Sequence, residues 1–151
     1  MIRPAVQSDI PAMVQLLRQL FAIEADFDFS PERQRKGLEM LLSARTAAAM
    51  VAEEDGEVVG MVTAQLVIST AEGGPSLLIE DLVVVPTRQN QGIGTALLIA
   101  LDEWGGAMGA NRMQLLADRT NTPALHFYRQ KGWRETQLIC LRKYSNKEIL
   151  L

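Results

Sequence analysis

Two adjacent carboxylates interrupt a very apolar stretch of the sequence, "PSLLIEDLVVV" (75–85). A carboxylate in such a setting can serve as a general base, and adjacent residues of a strand point to opposite sides of a sheet. We therefore expect one of Glu80 and Asp81 to face a cleft and the other to face the opposite side of the sheet. Alternatively, both side chains serve only in structural hydrogen bonds or an ion pair.

A second candidate site follows directly, in "VPTRQNQGIGTALL" (85–98). A strand that runs through a turn into a helix leaves backbone N–H groups unpaired, and the helix dipole adds positive charge there, so the turn favours an anion. Gly92 and Gly94 would let phosphate oxygens approach the backbone. A P-loop is excluded because the chain has no Gly-Lys pair, and a dinucleotide fingerprint is excluded because Leu97 stands where its third glycine belongs. The alternative is a tight turn that needs only flexible residues.

The elements that would position these residues alternate between strands and helices. Helices are indicated where apolar residues recur every three to four positions after a start signal, and strands where short apolar runs end at glycine or proline. The predicted strands lie in 1–5, 47–68 (two strands turning at 54–56), 75–85, 112–117 and 133–144, and the helices in 10–21, 30–43, 93–104 and 122–132. The order β-α-α-β-β-β-α-β-α-β predicts an α/β fold with a central mixed sheet, in one domain spanning 1–151.

Composition limits the classes of function. The chain has 15 basic and 18 acidic residues, a net charge of −3, which argues against a nucleic-acid partner. No apolar run reaches the ~18 residues that a membrane span needs, and no targeting segment is evident, so we expect no membrane partner. The single cysteine, Cys140, cannot form an internal disulfide, which suits a cytoplasmic location. Its apolar surroundings predict that it is a small buried hydrophobe.

Two motifs in register resemble the GNAT N-acetyltransferase superfamily. Gln89-x-x-Gly92-x-Gly94, at a helix start, resembles the family's pyrophosphate loop, Q/R-x-x-G-x-G/A. About 30 residues later, "NTPALHFYRQKGW" (121–133) resembles its N-x-x-A-x-x-F-Y-x-x-x-G-F/W segment. The order of elements from 1 to about 144 also matches the GNAT acyltransferase fold. The resemblance implies an acetyl-CoA-dependent N-acetyltransferase that moves an acetyl group to a primary amine by direct attack.

The resemblance also implies positions for the coenzyme, which would be a co-substrate. Backbone groups of Leu82, Val83 and Val84 would pair with the pantetheine arm, and the Asn121 side chain would bond to it. The pyrophosphate would lie on the loop and first helical turn, whose implied contacts are Gln89, Asn90, Gln91, Gly92, Ile93, Gly94 and Thr95. Asn90 departs from the family's usual glycine, but asparagine tolerates left-handed backbone, so we expect the loop to form.

Acetyl transfer requires that the amine lose a proton and that the leaving thiolate gain one. The resemblance implies that Tyr128 donates the proton to the thiolate. A matching Glu-Asp pair in spermidine/spermine (diamine) N-acetyltransferases favours Glu80 as the base or amine anchor. A backbone N–H from Val83 or Val84 would polarise the thioester carbonyl. In the alternative, Tyr128 is a packed helix residue whose hydroxyl is satisfied locally.

The acceptor is predicted from the acidic and aromatic segment 21–31. Glu24, Asp26 and Asp28 alternate there with aromatic residues, including Phe27, and would bind a cationic, polyamine-like amine together with Asp81. A peptide N-terminus or an amino acid remains open as acceptor. A catalytically impaired acyl-CoA sensor of the same fold also remains open, as does a homodimer. His126 is the only histidine, so no metal site is predicted.

Overall fold

The computed structural model describes residues 1–24 and 27–145. Its five strands are β1 (Ile2–Pro4), β2 (Ala47–Glu54), β3 (Glu57–Ser69), β4 (Gly74–Val84) and β5 (Met113–Leu115). Its four helices are α1 (Ile10–Ile23), α2 (Pro31–Ser43), α3 (Ile93–Ala107) and α4 (Thr122–Gln130). The predicted order of elements is therefore confirmed through α4.

The strands form one sheet in the order β1-β2-β3-β4-β5. The first three pairings are antiparallel, and β4 pairs with β5 in parallel, so the predicted mixed sheet is confirmed. The hairpin between β2 and β3 turns at Asp55 and Gly56, both with positive φ (52° and 80°), as a tight two-residue turn of this type requires.

Helices cover both faces of the sheet. On one face, α1 and α2 pack Met13, Leu17 and Leu38 against Val51 and Met61. The opposite face is covered by α3, and the residues buried there include Val62, Leu77, Ile79, Leu97 and Leu101. Residues 59–64 of β3 are thus buried on both faces of the sheet, which explains their nearly continuous apolar sequence, whereas Ile68 near the end of β3 is exposed.

The predicted last strand is wrong. Among the described residues of 133–144 none is in a strand, and Leu138, Ile139 and Leu141 are exposed. Cys140 is exposed as well, so the prediction that it is buried is also wrong. A strand forms only when its backbone pairs with a neighbour, and β-propensity alone does not supply that partner.

Close approach of α3 to the sheet depends on a glycine in β3. A Cβ on Gly60 would lie 3.3 Å from Ile93 Cγ2, Leu97 Cδ1 and the Val83 carbonyl oxygen. We expect Gly60→Ala to lower the free energy of unfolding by roughly 1–3 kcal/mol, because the backbone oxygen cannot move aside. Gly37, in α2, has nothing within 4 Å, so Gly37→Ala should stabilise by about 0.5–1 kcal/mol. Chemical denaturation of both variants checks this contrast, and equal effects would contradict it.

In the part of the chain that the structure describes, no helix is long and apolar enough to cross a membrane.

Candidate active site

The sheet opens beside the carboxyl-terminal half of β4. Only Leu77, Leu78 and Ile79 pair with β5, whereas β4 continues to Val84. The Val85 N–H donates to the Val59 oxygen of β3 (2.9 Å), and backbone groups alternate in direction along a strand. The backbone groups of Leu82 and Val84 therefore point away from β3 and into the opening, whereas those of Val83 point toward β3.

A β-bulge lies at the start of this opening. Val62 pairs with Leu82 and Ala64 pairs with Ile79, so Thr63 of β3 stands opposite two residues of β4, Glu80 and Asp81. The bulge breaks the alternation of side chains, and both carboxylates line the same cavity. The expectation that they face opposite sides of the sheet is therefore wrong.

The two carboxylates of the bulge differ in their surroundings. Glu80 is exposed and Asp81 is half-buried. Burial raises the pKa of Asp81 to about 6, with a smaller increase from the charge of Glu80, against the lowering effect of a hydrogen bond from Thr63. A carboxylate with this pKa is a stronger base than an ordinary aspartate and still ionised at neutral pH.

A small cavity of about 40 Å³ lies in the opening between β4, β5 and α4. Tyr128, Asn121 and Leu82 line it together with Glu80 and Glu24. Burial, aided by the charge of Glu24, raises the pKa of Tyr128 to about 12, so its hydroxyl keeps its proton at neutral pH. Tyr128 also packs edge-to-face on Phe127 and Trp133. Its hydroxyl therefore holds a proton that it can donate, while the raised pKa makes it a weaker acid than an ordinary tyrosine.

A larger cavity of about 230 Å³ lies beside the first one. Both cavities are lined by Glu80 and Glu24. The larger cavity adds Phe27, Asp28 and Asp81, which the sequence predicted, and Phe21, which lies in the predicted segment 21–31. Its further lining residues, which the sequence did not predict, are Arg33, Gln34 and Tyr144. Four carboxylates face one arginine among these described residues. The predicted residue Asp26 lies outside the described residues.

The face of an aromatic ring at this cavity already contacts a cation. The Arg142 guanidinium lies 5.0 Å from the centre of the Phe27 ring, and Phe27 also packs on Phe21 at 5.4 Å. Cations are attracted to ring faces at this distance. The larger cavity therefore combines negative charge with a cation-binding aromatic surface.

The glycine turn leads into α3 as the sequence predicted. Gly92 is the N-cap of α3, with a φ of +85°, and the first helical bond is Ala96 N–H to Gly92 O (3.0 Å). The N–H groups of Ile93, Gly94 and Thr95 thus precede the helical ladder and are oriented for an anion. A Cβ on Gly94 would lie 3.4 Å from Phe127, an ordinary contact distance, so the packing of α4 does not itself require this glycine.

The neighbouring glutamines and Asn121 have roles in the protein itself. The Gln89 side chain donates to the Val84 oxygen (3.0 Å), which also accepts from Gln19 of α1 (2.9 Å). Gln91 donates to the Thr87 oxygen (3.4 Å), and Asn121 caps α4 by accepting from the Ala124 N–H (3.3 Å). The Val84 carbonyl is thereby held at the edge of the opening.

Asn90 has the left-handed backbone that the sequence predicted, with a φ of +62°. Asn90→Val places a β-branched residue in this conformation, at a cost of about 1–2 kcal/mol. The free protein can relieve this strain by changing the conformation of the loop, whereas coenzyme binding requires the original conformation. We therefore expect acetyl-CoA to bind roughly ten-fold more weakly, as measured by calorimetry. Asn90→Gly is the matched control and should bind as the native protein does. Equal affinities of the two variants would contradict the prediction.

The residues that sequence reasoning missed come from elements without a motif. Gln19, Thr63 and Arg33 are ordinary members of a helix or strand, and only the register of the sheet and the packing of α1 and α2 bring them to the site. Within 1–24 and 27–145, no cluster of three metal-ligating side chains is present.

Comparisons with known proteins agree with this geometry. The family model described as "Acetyltransferase (GNAT) family" matches residues 11–133. An uncharacterized N-acetyltransferase of Bacillus subtilis is 30% identical over 138 residues, covering 89% of each chain. An aminoglycoside N(6')-acetyltransferase of Salmonella typhimurium is 24% identical over 104 residues, covering 67% of this chain and 72% of its own. A crystal structure of an aminoglycoside N-acetyltransferase in complex with CoA superimposes with a TM-score of 0.84, at 21% identity, covering 96% of this chain and 94% of that one.

The fold and the open sheet define an acyltransferase class, and the chain belongs to the GNAT family of acetyltransferases. It is an N-acetyltransferase, as the two motifs predicted. The relatives described above are not diamine acetyltransferases, so the class of acceptor is inferred from the residues that line the site.

Proposed function

We propose that the protein transfers the acetyl group of acetyl-CoA to a primary amine of a cationic small molecule. The proposal rests on one observation: the two cavities lie side by side, and Glu80 and Glu24 line both of them. One cavity contains a proton donor, Tyr128, and the other contains a base, Asp81, within an acidic and aromatic surface. Two substrates that enter from opposite sides would meet between these two side chains.

We assign the coenzyme to the opening in the sheet beside the carboxyl-terminal half of β4. The unpaired N–H groups at the start of α3 would hold its pyrophosphate, and the outward-pointing backbone of Leu82 and Val84 would pair with the pantetheine arm. The Val84 oxygen already accepts two side-chain bonds, so the available partners on this edge are the N–H groups of Leu82 and Val84 and the Leu82 oxygen. The sequence favoured an N–H of Val83 or Val84 for the thioester carbonyl. Because the Val83 N–H points toward β3, we assign this role instead to the Leu82 N–H, which lies next to the bulge.

The acceptor is assigned to the larger cavity. A cationic amine would be attracted by Glu24, Asp28 and Glu80, and it would stack on Phe27 by displacing the Arg142 guanidinium. Aminoglycosides and polyamines both carry several ammonium groups, and one relative is an aminoglycoside N(6')-acetyltransferase. A single charged group would make fewer of these contacts.

The chemistry follows from the positions of the two side chains. Asp81 accepts a proton from the amine, whose nitrogen then attacks the thioester carbonyl carbon. A C–N bond forms and the C–S bond breaks, and the Tyr128 hydroxyl gives its proton to the departing sulfur. The second proton of the attacking nitrogen then passes to the tyrosinate, directly or through solvent, and Asp81 releases its proton to solvent. The sequence favoured Glu80 as the base. The raised pKa of Asp81 favours Asp81 instead, with Glu80 as the anchor of the ammonium group at the junction.

The acceptor class is tested by steady-state kinetics with spermidine, an aminoglycoside, lysine and a short peptide, each against acetyl-CoA. We expect the highest kcat/KM for the acceptors with several ammonium groups, and a fall with ionic strength, because exposed charges are screened by salt. Glu80→Gln should raise KM for these acceptors more than it lowers kcat. A neutral or singly charged acceptor that is preferred at all salt concentrations would contradict the proposal.

A further inference from the structure

The bulge in β4 is held by one side chain of β3. Thr63 is fully buried, and its hydroxyl donates to the Asp81 carboxylate (2.8 Å). The same oxygen accepts from the Asp81 backbone N–H (3.3 Å). The hydroxyl thus occupies the place where the extra residue of the bulge interrupts the ladder, and it satisfies both the backbone and the side chain of Asp81.

We propose that Thr63 is the positioning residue of the active site: its hydroxyl fixes the β4 bulge and turns the Asp81 carboxylate into the acceptor cavity. Thr63 does not line either cavity, so it acts through Asp81 and not on a substrate. The role of Asp81 as base rests on the proposed function, whereas the orientation of Asp81 does not.

The hydroxyl also stabilises the charged form of Asp81, because a donated hydrogen bond favours a carboxylate over the carboxylic acid. Other charged or titratable groups face the same cavity, and each lies on a different part of the chain. They are Glu24 at the end of α1, Asp28 in the following loop, Arg33 of α2, Glu80 of β4 and Tyr144 of the C-terminal segment. A substitution at Thr63 leaves all of them in place, so it isolates the effect of the hydroxyl.

Two variants separate this role from packing. Thr63→Val keeps the shape and removes the hydroxyl, and Thr63→Ser keeps the hydroxyl and removes a methyl group. We expect the titration midpoint of the Asp81 carboxyl carbon, followed by NMR, to rise by about one pH unit in Thr63→Val and to stay near the native value in Thr63→Ser. The acid limb of the kcat/KM profile, which is its low-pH part, should move to higher pH by the same amount in Thr63→Val and should not move in Thr63→Ser. If valine overpacks the site, Thr63→Ala gives the same test.

The NMR readout requires no turnover, so it stands even if the acceptor assignment fails. An unchanged Asp81 midpoint in Thr63→Val would overturn the positioning role. A purely structural threonine would lower Tm in both variants without moving the midpoint, and that result would also overturn it. The Asp81 midpoint could move in Thr63→Val while the acid limb of the kcat/KM profile stays in place. That result would support the positioning of Asp81 by Thr63 and would overturn Asp81 as the base of the proposed function.

Discussion

Replacing Asp81 by asparagine is expected to lower kcat by about 10²- to 10⁴-fold, the usual contribution of a general base. The amide has the same shape and still accepts from Thr63, but it cannot take a proton from the amine. Steady-state kinetics at pH 7.5, with acetyl-CoA binding measured in parallel, checks the prediction. Binding of acetyl-CoA should be unchanged, because Asp81 lines only the acceptor cavity.

The same variant separates loss of catalysis from loss of stability. The pKa of Asp81 is raised in the folded protein to about 6 from 3.8, so the folded state binds its proton more tightly than the unfolded state does. The stability associated with this proton is present below about pH 3.8 and is lost as the pH rises through about 6. At pH 7.5 Asp81→Asn removes an unfavourably buried charge and should not lower Tm. A variant that is inactive because it is unfolded would contradict the prediction.

The pH dependence of the native enzyme follows from the same group. Below about pH 6 Asp81 is protonated and cannot act as a base, so kcat/KM should rise through this range. Asp102→Asn, an exposed change on α3, is the matched control and should keep the native profile. Glu80→Gln should keep the acid limb, because Glu80 is assigned to binding. An acid limb that disappears in Glu80→Gln and persists in Asp81→Asn would reverse the two roles.

Replacing Tyr128 by phenylalanine is expected to have the second large effect, a decrease in kcat of about 10²-fold or more. The variant keeps the ring that packs on Phe127 and Trp133 and removes only the hydroxyl. KM for both substrates should change little, because the proton is needed only as the thiolate leaves. Pre-steady-state measurement of CoA release checks the assignment. An unchanged kcat would show that the thiolate takes its proton from water.

The geometry of the glycine turn and of α4, to which we assign the coenzyme, was predictable because its signals are local. Gly92 and Gly94 stand at a fixed distance from a helix start, and Asn90 tolerates left-handed backbone, so the geometry of the loop follows from residue types alone. Asn121 and Tyr128 are in register with that loop through a second motif. The elements that carry them begin and end close to the predicted residues.

The acceptor side was predictable only in part, because it depends on contacts between distant segments. The bulge is a property of the pairing of β3 with β4, so neither strand alone indicates that Glu80 and Asp81 share a cavity. The pKa of Asp81 is raised in turn by that burial, against the lowering effect of the hydrogen bond from Thr63. The predicted strand in 133–144 failed for the same kind of reason, since its apolar residues gave propensity but no partner. Instead, Tyr144 of this segment lines the larger cavity, and Arg142 contacts Phe27, which also lines it.

We infer that the two cavities bring acetyl-CoA and a cationic amine together between Tyr128 and Asp81. The most direct test mixes the native protein with acetyl-CoA and spermidine or an aminoglycoside, and follows CoA release and the acetylated amine by mass spectrometry. We expect one equivalent of N-acetylated product for each CoA released, and almost none with Asp81→Asn or Tyr128→Phe. Binding of acetyl-CoA without release of CoA for any amine would contradict the claim and favour an acyl-CoA sensor of the same fold.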